Sequence, residues 1–399
     1  MSNSRRRACA GLLLLAGAFS AVTSHALAQV DAQPTAAVSS RRARDSTPAN
    51  VLTAQQWHRV DTAVNRALAS LARKQQPDGS FPTLETGQPG VTSLCVMAFI
   101  AHGHVPGSGP YGTQLNRATD YVLACQKENG LVTKLGPEGP RIDRHISHTF
   151  GGPAAYNHAI SSLLLSEAYG MGPPTRVRRL ESAIRKALAA TLEMQAWPKD
   201  IAADRGGWRY IDDKDSIDSD LSITGWELMF LRSARNAGFD VPSDRVDEAI
   251  AYVKRSFDRQ QGIFVYSARR PSRTRAMAGA GILALAHAGL HHTEEARRAG
   301  DWLLSHGFEQ YNDTLPGQNS DRYHYGLFNC CQAMYQLGGK YWQQFYPPAV
   351  EAVLTNQQPD GSWPIEAQYH DAPFGNSYST ALAVIMLGAP NQLLPIYQR

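Results

Sequence analysis

Apolar residues three and four positions apart mark an amphipathic helix in "DTAVNRALASLARK" (61–74) and again, near the other end of the chain, in "YPPAVEAVLT" (346–355). Each stretch runs into nearly the same phrase, "KQQPDGSFP" from Lys74 to Pro82 and "NQQPDGSWP" from Asn356 to Pro364. A second, more apolar run follows, "VTSLCVMAFIAHG" or "NSYSTALAVIMLG". The pattern predicts helix, turn, helix. Asp-Gly supplies the turn, because Gly accepts positive φ and Asp bonds the backbone just ahead. The Gln at the preceding helix end is placed to bond free backbone groups, and the Phe or Trp after the turn offers a flat apolar body that staples adjacent units.

The same template resolves the intervening chain. "YVLACQKENGLV" (Gln126, Asn129, Gly130) precedes "YNHAISSLLLSEAYG". "TLEMQAWPKDIAADRGGWRY" (Gln195, Gly207, Trp208) carries an insertion and leads into "LSITGWELMFLRSARNAG". "FDRQQGIFVYS" (Gln260, Gly262) precedes "RAMAGAGILALAHAG". A fifth unit opens with "AGDWLLSHGF", loses the turn phrase, and continues in "YGLFNCCQAMYQLGG". With the C-terminal copy there are six units of roughly 45 to 70 residues, a period that signals a repeat architecture. The second helix of each unit is poorer in charge than the first, as an inner ring would be. Neither end carries the polar capping unit of an open array. The expected fold is therefore all-α, a closed (α/α)6 toroid of two concentric rings, one domain over residues 51–399, with the last unit packed against the first.

The N-terminus changes the picture outside that domain. Arg5, Arg6 and Arg7, a short apolar run, and Ala26-Leu27-Ala28 have the layout of an export signal over residues 1–28, cleaved after Ala28. Residues 29–50 lack aromatic residues and hydrophobic period and are expected to form a flexible tether. No other segment is apolar for long enough to cross a membrane, so the mature protein is expected to be periplasmic or extracellular and not integral to a membrane. The formal charge of +4 includes six arginines of the signal and tether; the rest is near neutral and carries no nucleic-acid footprint. Cys95, Cys125, Cys330 and Cys331 remain after cleavage. An even count permits disulfides in an exported protein, but neighbours on one helix do not readily pair with each other, and all four read as small buried apolar residues.

Gln-x-x-Asp-Gly-Ser-Trp after an outer helix resembles the repeated motif of squalene-hopene and oxidosqualene cyclases, whose α/α toroid is shared by protein prenyltransferase β-subunits. The stretches "YNHAISSLLLSEAYGMG", "GGWRY", "DLSITGWELMFLRSARNAGFDVP" and "STALAVIMLGAPNQLLPIY" are similar to exported bacterial prenyltransferase/squalene-oxidase-repeat proteins. The cyclase resemblance implies an acidic run before an inner helix, with one acid held protonated. Here "DDKDSIDSDLSITGW" (Asp212 to Trp226) offers Asp218 and Asp220, with Leu221 where the next acid would stand. Paired acids raise a pKa, but an acid at a helix start is more often an N-cap, and capping is the expectation for Asp220. The transferase resemblance implies zinc held by Asp, Cys and His. His324 in "YHYGLFNCC" matches one ligand, while the preceding inner helix, "SRTRAMAG", supplies neither acid nor thiol, so no metal and no other cofactor is predicted.

Two readings from different classes follow. In the first, an exported toroid binds a small apolar ligand or a protein partner through its cavity and rim. In the second it is a cyclase- or transferase-like enzyme acting on an isoprenoid-type substrate. Asp218, Asp220, His158 and His324 are the candidate catalytic groups. Tyr323, Tyr325, His148, Trp226 and Arg275 are the candidate ligand contacts, since tyrosines stack on and bond ligands and the inner-helix starts open towards the cavity. His145, His148 and His158 are close in sequence, but Gly151, Gly152 and Pro153 break the spacing of two ligands on one helix face, and loop histidines with one histidine at the cavity rim are expected. A polysaccharide-lyase-like activity, suggested only by "WPKD" and the basic run from Arg269 to Arg275, is the remote alternative.

Overall fold

The computed structural model describes residues 48–318, 320–365 and 371–398; the expected export signal and most of the expected tether lie outside the described residues. Among them are twelve α-helices: α1 Ala54–Lys74, α2 Gly90–Ile100, α3 Gly112–Ala124, α4 His148–Glu167, α5 Pro174–Gln195, α6 Leu221–Asn236, α7 Ser243–Arg255, α8 Arg275–His287, α9 Glu294–Leu304, α10 Tyr323–Leu337, α11 Gly339–Thr355 and α12 Gly375–Leu387. The even-numbered helices touch in sequence, α2 to α4 and on to α12, and α12 returns to α2, so the inner ring is closed. The odd-numbered helices stand outside it, and α11 meets α1. No described helix is long and apolar enough to cross a membrane.

The outer helices are amphipathic for the reason the sequence shows. On α1 the buried residues Val60, Ala63, Val64, Ala67, Leu68 and Leu71 recur at three and four positions, and Thr53 with Gln56 forms a capping box at its start. The inner helices are largely buried, α2 along its full length and α8 from Arg275 to Leu285. Small residues let them approach. A Cβ on Gly279 of α8 would lie 2.7 Å from the backbone nitrogen of Cys330 on α10, closer than packed atoms come.

The repeated phrase forms the same joint at four places. Gln75, Gln126, Gln195 and Gln357 each donate their side-chain amide to two carbonyls, one in their own turn and one midway along the next outer helix or near its start. The first set of acceptors is Gly79, Gly130, Gly206 and Gly361, at 2.9 to 3.2 Å; the second is Gln114, Ala183, Arg245 and Ala63, at 2.7 to 2.8 Å. The last pairing, Gln357 to Ala63, joins the two ends of the chain. Each turn glycine has φ between 86° and 96°, and a side chain on any of them would run into a backbone carbonyl of the neighbouring outer helix. In the third copy that residue is Gly206, one position before the Gly207 that the sequence pattern singles out.

Two residues after each glycine the backbone N–H is also fixed. Phe81, Trp208 and Trp363 donate to the hydroxyls of Thr92, Thr224 and Thr380 on the following inner helix, at 3.0 to 3.1 Å. The fourth unit uses a hairpin instead, β1 Phe257–Asp258 paired with β2 Ile263–Phe264. The fifth replaces the lost turn with Arg275. Its guanidinium pairs with Asp321 and Asp313, donates to the carbonyls of Gly307 and Asp313, and lies over the Phe308 ring, tying the 305–322 loop to the start of α8. The chain ends across the inner ring: the Ile396 N–H donates to Glu167 on α4, and the Tyr397 carbonyl accepts from Gln336 on α10. None of the four cysteines is in a disulfide; three are buried, and burial pushes their thiols up.

Trp363→Ala is expected to cost about 3 kcal/mol in denaturant unfolding, because a fully buried ring leaves the joint between last and first units. Gly361→Val should be at least as damaging, from positive φ and the clash with Arg66.

A second expectation concerns pH. Burial pushes Glu227 up to about 8 from an unfolded value of 4.5, and Glu167 up to about 7. Over that interval the folded chain holds protons the unfolded chain has lost, so these groups lower stability as pH rises and the loss levels off above about 8. Buried His158 and His287, held down to about 3, act oppositely but only below about 6.5. Between pH 6.5 and 8 the melting temperature should therefore fall, and calorimetry on Glu227→Gln should show a smaller fall.

Candidate functional site

Inner helices α2, α4, α6, α10 and α12 border a cavity of about 410 Å³. Its wall is chiefly apolar and aromatic: Val91 and Leu94 from α2, Tyr156 and Ile160 from α4, Trp226 from α6, and Leu382 from α12. Tyr210, Phe374 and Tyr378 close the upper wall, and Tyr325 enters from α10. Trp226 is held flat by stacking on Phe328, with centroids 5.2 Å apart. Ser222 and Trp226 share the cavity face because residues four apart on a helix lie above one another.

Polar groups in the wall are bonded to each other. Tyr156 donates to Ser222 at 2.9 Å, and Ser222 and Tyr325 share a hydrogen bond of 2.8 Å. Tyr210 and Tyr266 share another of 2.8 Å, and Tyr266 donates to Asp220 Oδ2 at 3.2 Å. Burial pushes the Tyr210 and Tyr325 hydroxyls up, so both remain protonated donors at neutral pH. Arg322, half-buried, reaches the wall beside Asp371, 2.7 Å from its Nη1; burial opposes its charge, but Asp371 together with Tyr156, Tyr378 and Tyr210 raises its pKa. At the rim, His148 Nδ1 lies 2.9 Å from Asp215 Oδ2 and 3.2 Å from Asp212 Oδ2. The three potential ligand atoms fall within 4.8 Å of one another, a set able to share a proton or to hold a divalent cation.

The structure distributes the sequence-predicted residues unevenly. Trp226, Tyr325 and His148 line the cavity. Asp220 caps α6 through the Ile223 N–H at 2.8 Å, and its other oxygen pairs with buried Arg209 at 2.8 Å. Burial raises its pKa against the pull of Arg209. Asp218 turns away to Arg269 at 2.7 Å, so the two acids have separate partners and do not form a proton-sharing pair. His158, expected at the cavity rim, is instead fully buried between helices. Its Nδ1 accepts the Val132 N–H, doing in the second unit what Thr92, Thr224 and Thr380 do elsewhere, and Nε2 bonds Thr191. Thr191 in turn donates to Glu227, and burial pushes His158 down to about 3, so its ring is neutral.

Tyr323 and His324 are buried beside Phe308 and Tyr311, with His324 Nε2 2.9 Å from the Tyr311 hydroxyl. Successive helical residues diverge by about 100°, so the triplet Tyr323-His324-Tyr325 presents only its last member to the cavity. Arg275 is consumed by the loop it organises. Cys330 Sγ donates to the Arg275 carbonyl. His145 pairs at the surface with Asp213. Tyr156, Tyr210, Tyr378 and Arg322 also line the cavity and were not among the candidates; of these, Arg322, three residues before Tyr325, stands at helical spacing from a candidate cavity residue.

No protein-family model matches the chain, and no curated protein matches its sequence. Solved structures do match in shape. A variant of the type II terpene cyclase MstE from Scytonema, without ligand, is 13% identical with a TM-score of 0.56, over 86% of this chain and 100% of that one. Cellobiose 2-epimerase from Bacillus thermoamylovorans is 13% identical with a TM-score of 0.56, over 82% and 98%. A GH76 α-mannanase from Bacteroides thetaiotaomicron is 12% identical with a TM-score of 0.55, over 83% and 95%. These likenesses establish the α/α toroid fold.

Asp220→Asn preserves the cap but strips Arg209 of its nearest counter-charge, leaving Asp215 at 3.5 Å. A loss of about 3 kcal/mol in denaturant unfolding is expected, well above the few tenths that a cap exchange alone would give.

Proposed function

We propose that this toroid is an exported binding protein that takes a small, mostly apolar molecule with a hydrogen-bonding end into its central cavity. The observation that carries the reading is the wall itself. Trp226, Tyr325, Phe374, Leu94 and Ile160 present apolar surface, Ser222 and the tyrosines offer hydroxyls, and no carboxylate lines it among the described residues. A cavity of this size and lining suits a ligand held by burial and oriented by a few polar contacts. The candidate acid Asp220 is committed to a cap and an ion pair. Residues 1–28 address the protein for export, which places the ligand outside the cytoplasm.

One observation favours the enzymatic alternative, a cyclase-like reaction on an isoprenoid-type substrate. The hydroxyls of Tyr210 and Tyr266 connect buried Asp220 to the cavity wall, a continuous path for a proton. The Scytonema cyclase has been solved with geranylgeranyl dihydroxybenzoate as its substrate, on the same fold. No comparable observation supports the lyase reading.

Calorimetric titration separates these readings. Farnesol is expected to bind at one site per chain, and Trp226→Ala should weaken it about ten-fold or more through loss of stacked area. Cello-oligosaccharide binding with no farnesol binding would overturn the proposal. Conversion of geranylgeraniol to a cyclic product by the wild type, detected by mass spectrometry and lost in Tyr266→Phe, would establish the enzyme instead.

A further inference from the structure

At the end of the ring opposite the central cavity, the C-terminal halves of α6 and α8 and the length of α7 enclose a groove of about 540 Å³. It exists because side chains are small where these helices face one another: Ala251 on α7, Ala284 on α8, and Ala288 just beyond its end. The floor is apolar, formed by Leu228, Leu231, Val246, Ile250 and Leu290.

The border is cationic. Leu228, Leu231, Arg232 and Arg235 follow the three-and-four spacing of one helical face, so the two guanidiniums and the apolar floor belong to the same side of α6. Lys254 faces them from α7, and Asp247 is the single acid among the lining residues. Elsewhere on the surface, arginines such as Arg59, Arg179 and Arg269 are matched by Glu351, Asp120 and Asp200. The side chains of Arg232, Arg235 and Lys254 have no such partner in the described structure. His287 also lines the groove, and its Nε2 is shielded from solvent and has no hydrogen-bond partner. Burial, reinforced by the charge of Arg232, pushes His287 down to about 3, so its ring is neutral and available as a hydrogen-bonding group.

An apolar trough bordered by unmatched cations selects for a molecule that is hydrocarbon along most of its length and anionic at one end. A neutral chain would leave the cations uncompensated, and a nucleic acid requires a far more extended basic surface. We infer that the α6–α7–α8 groove binds a single-chain carboxylate amphiphile of the fatty-acid type, its chain against the leucine floor and its carboxylate among Arg232, Arg235 and Lys254. This site is separate from the central cavity and does not depend on what that cavity holds.

The test is calorimetric titration of the protein with dodecanoate below its micelle concentration, alongside dodecanol and dodecyl phosphate. One dodecanoate per chain is expected, with dodecanol about ten-fold weaker or more because it lacks the charge. The double variant Arg232→Glu/Arg235→Glu should weaken dodecanoate about ten-fold or more. Ala251→Phe, which fills the groove, should abolish its binding while leaving farnesol binding at the central cavity unchanged. Should the double variant fail to fold, Lys254→Glu replaces it. Absence of saturable dodecanoate binding, equal affinity for dodecanol, or indifference to both the charge reversal and the filled groove would overturn the inference. Tighter binding of dodecyl phosphate than of dodecanoate would overturn the carboxylate assignment in favour of a phosphate headgroup.

Discussion

A glutamine amide at the end of an outer helix, divided between the carbonyl of its own turn and a carbonyl of the next outer helix, is the contact on which the ring is built. A helix end leaves backbone groups without partners, and a buried joint between helices cannot leave them to water. The amide bridges the carbonyl of its own turn and a carbonyl on the neighbouring outer helix. The turn glycine lets the chains approach closely enough for it to do so, because any side chain there would strike the neighbouring helix. Gln357 binding Ala63 is the same contact made between the last unit and the first, and it converts a row of repeats into a ring.

The ring determines where chemistry can occur. Five of the inner helices, α2, α4, α6, α10 and α12, send side chains into one cavity, and much of the rest of their length is packed in the shared core. Polar residues of the inner helices therefore divide by depth and by face. Ser222 and Tyr325 reach the cavity; His158 and Glu227 do not, and they are coupled through Thr191 as part of the packing. Burying Glu227 with an oxygen that has no hydrogen-bond partner is costly unless it keeps its proton, which accounts for its raised pKa. Arg275 shows the opposite solution. Its charge is fully matched by Asp313 and Asp321, and it orders a loop that has no turn phrase of its own.

The two cavities differ in what their walls have left unsatisfied. Around the central cavity the hydroxyls bond one another and Arg322 faces Asp371, so the wall presents stacking surface with a few exchangeable donors. Between α6, α7 and α8 the cations are unmatched and the floor is aliphatic. The first arrangement tolerates a neutral amphipathic molecule; the second calls for an anion.

The fold was legible in the chain because its causes are local and repeated. Helical period, an Asp-Gly turn and an aromatic residue after it are properties of neighbouring residues, and the two clear copies at 74–82 and 356–364 identify the weaker ones. The site was legible only in part. Trp226, Tyr325 and His148 could be placed at the cavity by their position near inner-helix starts, yet the same reasoning put Asp218, His158, Tyr323, His324 and Arg275 with them. Proximity along the sequence does not fix which way a side chain faces, and one position on a helix turns it by about 100°. Nor does it reveal partners distant in the chain: Arg209 for Asp220, Thr191 for His158, Asp313 for Arg275. The sequence by itself determined the repeat, the ring and the end at which the cavity opens. Only the tertiary structure decided which polar groups face the cavity and which are spent on holding the helices together, because that depends on which distant partner reaches each buried charge.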